Sequence, residues 1–338
     1  MKRTIAIVAG GDSSEFGVSL LSARGIYSFF DKEKYSVYVV KLIGSSWTVL
    51  LNFDEALGAE NPNIEEITLD KNDFSFMLNH QKINFDYAYI TIHGEPGENG
   101  CLQGYLNMVG VPHSTCGVLA ASLTYNKFMC SQYLKGYGIT VAESMQIKKG
   151  KVTISDVINE VKLRIGYPCF VKPNLGGSSF GITKVKEEKD LAFAIEKAFD
   201  EDEEVVIEAF LDGVEVTCGC YSINNKKVAL PLTEVVTHNE FFDFNAKYKG
   251  EVDEITPARI SEKLTERIQK LTKRIYDILD CAGIIRIDYI VTESERINLL
   301  EVNTTPGMTS TSFIPQQVSA AGLSMSQLLT DLVESAFE

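Results

Sequence analysis

The sequence has a single tryptophan, nine prolines and four histidines in 338 residues, and it contains no long uninterrupted apolar run. A helix that crosses a bilayer needs about twenty consecutive apolar residues, so no membrane-spanning segment is expected. Basic residues are in the minority as well, because 32 lysines and arginines face 46 aspartates and glutamates, for a formal net charge of −14. An acidic chain repels phosphate polymers. The composition therefore argues against a nucleic acid or a membrane as partner.

The cysteines argue against a disulfide framework and against a cysteine metal site. There are seven of them, an odd number, and no CxxC pair occurs. A disulfide framework is not expected in a chain of this length, so reduced thiols and a cytoplasmic location are predicted. The motif Cys218–Gly–Cys220 has no adjacent histidine, and it is interpreted as small core side chains of a strand instead of a metal pair.

The length and the apolar pattern predict an α/β protein with more than one domain. Thr4–Ala9 and Tyr35–Leu42 have the pattern of buried strands, and Val18–Phe30 between them has helical periodicity. Such a βαβ unit implies a parallel sheet, and Thr4–Ala9 is too short for a signal peptide. Three further assignments are one helix over Val118–Tyr137, one strand over Val228–Val236, and nothing beyond a short hairpin over 44–82.

Two predicted strands near the C-terminus carry the most informative polar pattern. Successive side chains of a strand point to opposite faces, so Arg286 and Asp288 share one face, as do Glu301 and Asn303. If the two strands pair, the three oxygen-bearing side chains converge beside the arginine, and such hard ligands suit Mg²⁺. The alternative is an exposed polar face of an antiparallel sheet. The donor-rich segment 303–310 that follows favours a site for a metal and an anion.

A second candidate site is a loop that follows an apolar strand. Lys172 ends the strand, and the loop contains Gly176, Gly177 and two serines. Glycines allow backbone N–H groups to approach phosphate oxygens closely, and the lysine adds a positive charge. The GxxxxGK[ST] pattern is absent, so the loop is not a Walker A site. The alternative is a flexible hairpin turn.

Several other polar residues remain open to two interpretations. Glu208 and Glu215 are either acceptors for a purine amino group and a ribose or solvated acids at a strand end. Glu15 follows the first strand and either caps a helix or holds a ligand ammonium. His93 is either a ligand contact or a turn histidine. The long segment 238–253 places four aromatics near a lysine, which indicates a lid.

These motifs, in this order, resemble the D-alanine–D-alanine ligase family of ATP-grasp enzymes. The matching segments cover nearly the whole chain: Gly10–Leu20, His93–Gly104, Lys127, Lys172–Gly181, Glu208–Glu215, Asp243–Tyr248, Gly283–Asp288 and Leu300–Ser312. The resemblance implies an α/β fold, α+β in parts, with antiparallel sheets on either side of ATP. It also implies three domains, with boundaries at 1–115, 116–208 and 209–338, the last including the lid 238–253.

The resemblance also implies a role for particular residues. Catalytic roles fall to Glu15, Ser178, Tyr248, Arg286 and the backbone of Gly307. D-alanine would contact His93, Ser312 and Phe313. The nucleotide would be held by Lys127, Lys172, Ser178, Ser179, Glu208, Ala209, Phe210, Leu211, Glu215 and Lys247. Two Mg²⁺ ions, replaceable by Mn²⁺, would be held by Asp288, Glu301 and Asn303.

The implied reaction joins two D-alanines through a D-alanyl phosphate, at the expense of ATP, for peptidoglycan synthesis by a homodimer. The alternatives are a related ligase that takes D-lactate or D-serine second, a catalytically silent nucleotide-binding regulator, and a Rossmann oxidoreductase built on Gly10–Gly11. Phe16, Gly17, Asn126 and Phe313 depart from the family's usual residues, but none of them removes a catalytic group.

Overall fold

The structure, a computed structural model, describes residues 2–54, 58–177, 181–237 and 252–338. Within these ranges, no helix combines the length and the apolar character needed to cross a bilayer.

The N-terminal part of the chain forms a mixed sheet with two parallel and two antiparallel strand pairs. Its elements are β1 (Arg3–Gly10), α1 (Phe16–Phe29), β2 (Tyr35–Ile43), β3 (Ser46–Leu51), β4 (Glu65–Thr68), β5 (Ser75–Leu78), β6 (Gln81–Asn84) and β7 (Tyr87–Ile90). The strand order is β4-β3-β2-β1-β7, and β1 is parallel to both β2 and β7, so the predicted βαβ unit is confirmed. The unassigned segment 44–82 supplies the antiparallel strands β3 and β4 and the separate β5–β6 hairpin.

The sequence of β1 explains why it lies inside the first sheet, between β2 and β7. Ile5 to Ala9 are fully buried, as expected for a strand covered on both faces. The chain leaves the strand at Gly10, whose φ is +99° and whose Cβ, if present, would lie 2.4 Å from the carbonyl oxygen of Leu42. A residue without a side chain is therefore required at this turn. The turn leads directly to Glu15 at the start of α1.

Three helices connect the first sheet to the second: α2 (Cys101–Met108), α3 (Val118–Tyr125) and α4 (Lys127–Gly136). The prediction of one helix over Val118–Tyr137 was wrong, because Asn126 is extended at φ −87° and ψ 99°. Its side-chain oxygen accepts a hydrogen bond from the Met129 N–H at 2.9 Å. An asparagine at this position is a favourable N-cap, so the chain starts a new helix there.

The second sheet is antiparallel, and two helices share one core cluster with it. Its elements are β8 (Ser144–Lys148), α5 (Ile154–Arg164), β9 (Cys169–Pro173), β10 (Thr183–Val185), α6 (Leu191–Phe199) and β11 (Glu204–Ala209), and the strand order is β10-β9-β11-β8. Cys169 and Val171 of β9 pack in one core cluster with Ile195 of α6. The alternation along β9 therefore directs Lys172 to the opposite face.

The third sheet contains the two polar strands. Its elements are β12 (Val214–Ile223), β13 (Lys226–Ala229), β14 (Thr233–Thr237), β15 (Val252–Ile255), α7 (Glu262–Ile278), β16 (Ile284–Val291), β17 (Ile297–Asn303), α8 (Phe313–Ala320) and α9 (Met325–Ser335). The order is β15-β14-β12-β16-β17, with β13 paired to β12. The single strand predicted over Val228–Val236 is two strands, because Pro231 has no N–H to continue the ladder.

The first and last parts of the chain share one hydrophobic core. Ile7 of β1 and Tyr35 of β2 belong to the same buried cluster as Ile314 of α8 and Leu329 of α9. A separate cluster lies between the third sheet and α7. The predicted boundaries at 115 and 208 stay a prediction.

Candidate functional site

The strands β16 and β17 pair antiparallel, which meets the condition under which the polar side chains would converge. Asp288 lies opposite Glu301, and Arg286 lies opposite Asn303, so all four side chains belong to one face. The register shifts directly after Asp288, which marks a β-bulge. Bulges of this kind re-aim side chains near functional sites. On β12, Thr217 lies opposite Asp288 and continues the same row.

A buried ion pair orders the centre of this face. The Arg286 Nε donates to Asp288 Oδ1 at 2.9 Å, and Nη2 donates to Oδ2 at 2.7 Å, so the pairing is bidentate. Both residues are 8% exposed. Burial alone would lower the pKa of Arg286, but the charge of Asp288 and its hydrogen bonds raise that pKa above its usual value. The guanidinium is therefore a fixed cation.

The oxygen donors around this pair fit a hard cation. Asn303 Oδ1 accepts a hydrogen bond from the Thr305 N–H at 3.0 Å, which orients the side-chain amide. The hydroxyl oxygens of Thr217 and Thr305 are buried without a hydrogen-bond partner in the described structure. Unsatisfied buried oxygens are costly unless a ligand, an ion or water completes them. The described ranges hold no cluster of three His, Cys, Asp or Glu residues suited to a metal, and the predicted set contains two carboxylates and one amide.

The residues predicted to hold the second substrate lie beside Arg286. Its guanidinium carbon is 5.4 Å from the centre of the Phe313 ring. Ser312 is the N-cap residue of α8, and its hydroxyl lies 2.8 Å from the Thr309 hydroxyl. A Cβ on Gly307 would lie 3.1 Å from Ser312 Oγ, so the backbone approaches that hydroxyl closely. The fold thus brings Arg286, Gly307, Ser312 and Phe313 together.

Glu15 and His93 form a second group, at the ends of β1 and β7. Glu15 is the N-cap residue of α1 and is 6% exposed. Ser13 connects the two residues, because its Oγ accepts from the Glu15 N–H at 3.2 Å and donates to the His93 carbonyl at 2.7 Å. His93 Nε2 lies 3.1 Å from Ser22 Oγ. A Cβ on Gly177 would lie 2.5 Å from Glu15 Oε2, so the glycine loop covers this carboxylate.

Glu98 is a member of this group that the sequence analysis did not identify. It is half-buried, and its Oε2 accepts from the Gly94 N–H at 2.7 Å. Burial, together with the negative charge of Glu15, raises the pKa of Glu98 to about 8. The charges of Glu301 and Lys127 also act on it, with opposite signs. A second acid five residues after His93 was the only signal in the sequence.

The second sheet contributes the predicted nucleotide residues. Lys172 Nζ donates to Glu208 Oε1 at 2.6 Å on the face opposite the helices, and both side chains are largely buried. Lys127 Nζ donates to the Gly176 carbonyl at the start of the glycine loop. Glu215 lies on β12, and its charge acts on Arg286 of the third sheet.

The segment Ala209–Leu211 leaves the second sheet with part of its backbone already hydrogen-bonded. The Ala209 N–H donates to the Glu143 carbonyl at 2.9 Å, and the Phe210 N–H donates to the Pro168 carbonyl at 3.2 Å. The Phe210 ring lies 3.8 Å from Lys184 Nζ, in a cation–π contact.

Four predicted residues lie outside the described part of the chain: Ser178, Ser179, Lys247 and Tyr248. Most of the predicted lid 238–253 lies outside it as well. The other predicted residues fall into the three groups described above, on the faces and loops where the sheets approach one another.

Comparison with known proteins gives consistent matches along the chain. The family model described as "D-ala D-ala ligase N-terminus" matches residues 4–116, and the one described as "D-ala D-ala ligase C-terminus" matches residues 133–334. A D-alanine–D-alanine ligase of Bacteroides fragilis is 61% identical over 337 residues and covers 100% of each chain. 

Solved structures agree with the sequence matches. The VanG D-Ala:D-Ser ligase from Enterococcus faecalis superposes with a TM-score of 0.87 at 31% identity, covering 99% of this chain and 99% of that chain. A D-alanine–D-alanine ligase from Bacillus anthracis complexed with ATP has a TM-score of 0.75 at 27% identity, and the match covers 99% of this chain and 98% of the other.

Proposed function

The chain belongs to the D-alanine–D-alanine ligase family, and from this premise we propose how its own residues divide the work of the reaction. The reaction is the ATP-dependent joining of two D-alanines into a dipeptide used for peptidoglycan precursors. The observation that best supports the residue assignments is the pairing of β16 with β17, in which two carboxylates, an amide and an arginine share one face.

ATP lies between the second and third sheets in this proposal. Lys127 and Lys172 pair with its phosphates, and Glu208 accepts from the adenine amino group. The N–H groups of Ala209 and Phe210 are already used within the protein, so the base meets carbonyl oxygens or the N–H of Leu211. Glu215 accepts from the ribose. Ser178, Ser179 and Lys247 are assigned to the phosphates from the family resemblance.

Two Mg²⁺ ions would be held by Asp288, Glu301 and Asn303, with Mn²⁺ able to replace them. The bound ions would neutralise charge on the phosphates and on the group in transfer. The buried Thr305 hydroxyl without a hydrogen-bond partner in the described structure supports a further ligand or a bound water here.

The first D-alanine binds with its ammonium on Glu15 and with His93 nearby. Its carboxylate attacks the γ-phosphorus of ATP, ADP leaves, and a D-alanyl phosphate forms. Lys127 and Lys172 offset the negative charge of the transferring group. Burial of Glu15 beneath Gly177 strengthens its attraction for the ammonium, because few water molecules compete for the charge.

The second D-alanine then attacks the acyl carbon with its free amine. A tetrahedral oxyanion develops and meets the Arg286 guanidinium and the Gly307 N–H, and the dipeptide forms as phosphate leaves. Ser312 and Phe313 hold the carboxylate end of this substrate. The family resemblance assigns Ser178 and Tyr248 to a hydrogen-bonded set with Glu15, whose role would be to exclude water from the intermediate.

The substrate assignment is tested by measuring ADP release over a panel of D-amino and D-hydroxy acids, with each product identified by mass. D-alanyl-D-alanine should be the main product with D-alanine alone. Preferential ligation of D-serine or D-lactate as the second substrate would indicate a related ligase. Absence of turnover would favour a nucleotide-binding regulator.

The proposal also includes a homodimer and a cytoplasmic location. All cysteines of the described residues are free, which is consistent with a reducing compartment. Sedimentation velocity at micromolar concentration tests the homodimer, and a monomer across the concentration range would contradict it.

A further inference from the structure

Asn174 is fully buried between the second sheet and α4, and its side chain makes hydrogen bonds with both. Its Oδ1 accepts from the Phe128 N–H at 3.0 Å, and its Nδ2 donates to Glu204 Oε2 at 3.0 Å. The Asn174 backbone makes the same two connections, because its carbonyl accepts from the Lys127 N–H at 3.2 Å and its N–H donates to the Glu204 carbonyl at 2.8 Å. One residue thus joins β9, β11 and α4.

These contacts provide hydrogen-bond acceptors for the backbone N–H groups in the first turn of α4. The first N–H groups of a helix have no partner inside the helix. Asn174 accepts from the N–H groups of Lys127 and Phe128, and the Asn126 side chain accepts from that of Met129. The start of α4 is therefore fixed in position and orientation by hydrogen bonds from outside the helix.

Glu204, at the other end of the network, makes two further polar contacts. The Glu204 carboxylate that accepts from Asn174 also accepts from Gln146 Nε2 and forms an ion pair with Lys148. These contacts lower the pKa of Glu204, with Lys148 the main cause, so it stays ionised. Asn174 therefore donates to a fixed, charged acceptor, and such hydrogen bonds are stronger than neutral ones.

The consequence of this network appears at the Lys127 side chain. Its ammonium donates to the carbonyl of Gly176, two residues after Asn174. Both ends of the lysine, the backbone N–H and the ammonium, therefore contact the same short segment. A lysine side chain has several rotatable bonds, and holding its backbone reduces the number of places that its charge can occupy.

We propose that Asn174 is a positioning residue, which fixes the first turn of α4 so that the Lys127 ammonium stays beside the glycine loop for a nucleotide phosphate. The inference rests on the proposed phosphate role of Lys127. Asn174 does not itself contact substrate in this view. It acts by restricting where the positive charge can lie before ATP arrives.

The test is Asn174→Ala in the full-length enzyme, assayed for the KM of ATP, the KM of D-alanine and thermal stability. We expect the KM for ATP to rise about tenfold, because an unfixed ammonium loses part of one charged contact. The KM for D-alanine should change less than about twofold by the same argument, since that substrate is held by other residues. An unchanged KM for ATP would overturn the inference.

A matched control separates positioning from general loss of stability. Asn298 on β17 is 2% exposed, and its Nδ2 donates to the carbonyls of Ile290 and Arg296. Asn298→Ala should lower the melting temperature as Asn174→Ala does, with the KM for ATP unchanged. An equal rise of that KM in both variants would overturn the inference. If Asn174→Ala does not fold, Asn174→Ser and Glu204→Gln weaken the same hydrogen bonds. Each of them should raise the KM for ATP, and an unchanged KM for ATP in both would overturn the inference.

Combination with Lys127→Ala shows whether the two residues act together. In the Lys127→Ala enzyme, replacing Asn174 should cause no further rise in the KM for ATP, because the positioned group is gone. If the double variant raised the KM for ATP by the product of the two single-variant factors, Asn174 would act independently of Lys127, and the inference would be overturned. If Lys127→Ala alone leaves the KM for ATP unchanged, the phosphate role itself is wrong, and the inference falls with that premise.

Discussion

Glu301 is a single side chain on which the proposed metal site depends. It lies half-buried opposite Asp288, on the face that also carries Arg286 and Asn303. Its strand and the face that it shares with Asn303 were predicted from the alternation of side chains along the strand. The bulge after Asp288 was not predicted, because an extra residue in one strand changes no hydrophobic pattern that the sequence displays.

We expect Glu301→Gln to reduce turnover on the order of a hundredfold or more, since a metal-binding oxygen loses its charge. The fold should persist, because glutamine has nearly the same shape. Steady-state turnover with saturating ATP measures the effect, and circular dichroism checks the fold. Glu293→Gln, at an exposed site in the turn between the same strands, is the matched control and should keep normal turnover. Normal turnover in the Glu301 variant would contradict the metal assignment.

Glu98 shows what sequence reasoning could not supply at the residue scale. Its raised pKa arises from burial and from Glu15, a residue that is distant in sequence and joined to it only through the packing of two loops. Nothing in the local sequence distinguishes Glu98 from its exposed neighbour Glu95. The contacts that decide a pKa are tertiary, and they become visible only in the structure.

The raised pKa of Glu98 predicts a pH dependence of stability. Between about pH 5 and about pH 8 the folded protein keeps a proton that the unfolded chain releases, so the free energy of unfolding falls as the pH rises through that window. In urea unfolding without ATP or metal, the free energy of unfolding should fall more steeply with rising pH for the wild-type protein than for Glu98→Gln. Glu95→Gln should follow the wild type. Parallel curves for the wild type and the Glu98 variant would refute this ionisation.

At the scale of elements, α8 is held to the third sheet by a buried polar contact that no helical periodicity predicts. Gln317 is fully buried; its Oε1 accepts from the Gly219 N–H at 2.8 Å, and its Nε2 donates to the Thr217 carbonyl at 3.1 Å. A Cβ on Gly219 would lie 2.6 Å from the side chain of Ile314, so the helix requires a glycine beneath it. The helix begins at Ser312 and Phe313 and positions them.

Gly219→Ala should therefore displace α8 and affect both stability and substrate binding. We expect a loss of about 1–3 kcal/mol in the free energy of unfolding, as for other overpacked sites. The KM for the second D-alanine should also rise. Gly136→Ala is the matched control, since a Cβ at Gly136 would meet no atom within 4 Å. A second-substrate KM unchanged in the Gly219 variant would mean that α8 does not govern that subsite.

Element boundaries were predictable where hydrophobic periodicity dominates and not where a cap or a turn decides. The strands β1, β2, β16 and β17 and the long helix α7 follow their apolar patterns closely. The helix break at Asn126 was missed, because the residues on both sides continue a helical pattern and only the cap interrupts them. The helix α8 was missed because Pro315 and the polar run before it resemble a loop.

At the scale of the whole molecule, residues from both ends of the chain share one core. The Glu334 carboxylate of α9 accepts from the Tyr35 hydroxyl at 2.7 Å and forms an ion pair with Arg3 at 3.2 Å. Leu329, fully buried in α9, packs in the same cluster as Ile7 of β1. Such contacts between distant segments carry no sequence signature, which is why the shared core could not be predicted from the sequence.

Because of this shared core, a mutation in the last helix should change the unfolding transition of the first sheet. Trp47, the single tryptophan, lies in β3, so its fluorescence reports on the first sheet. Leu329→Ala should cost about 2–5 kcal/mol and shift the Trp47 unfolding transition to lower urea. Ile195→Ala, equally buried but in the core of the second sheet, is the control and should shift that transition less. Equal shifts would imply one cooperative unit throughout.

The ion pair between Lys172 and Glu208 has a consequence for the choice of nucleotide. Each charge neutralises the other at 2.6 Å in a largely buried position. A molecule that takes only one partner leaves the other charge buried and unmatched, which is strongly unfavourable. In the proposed nucleotide site, intact ATP offers a phosphate to the lysine and an amino group to the carboxylate at once. If these two residues hold the nucleotide as proposed, adenosine alone and triphosphate alone should bind more weakly than intact ATP, and the ion pair would select for the complete molecule before any chemistry begins.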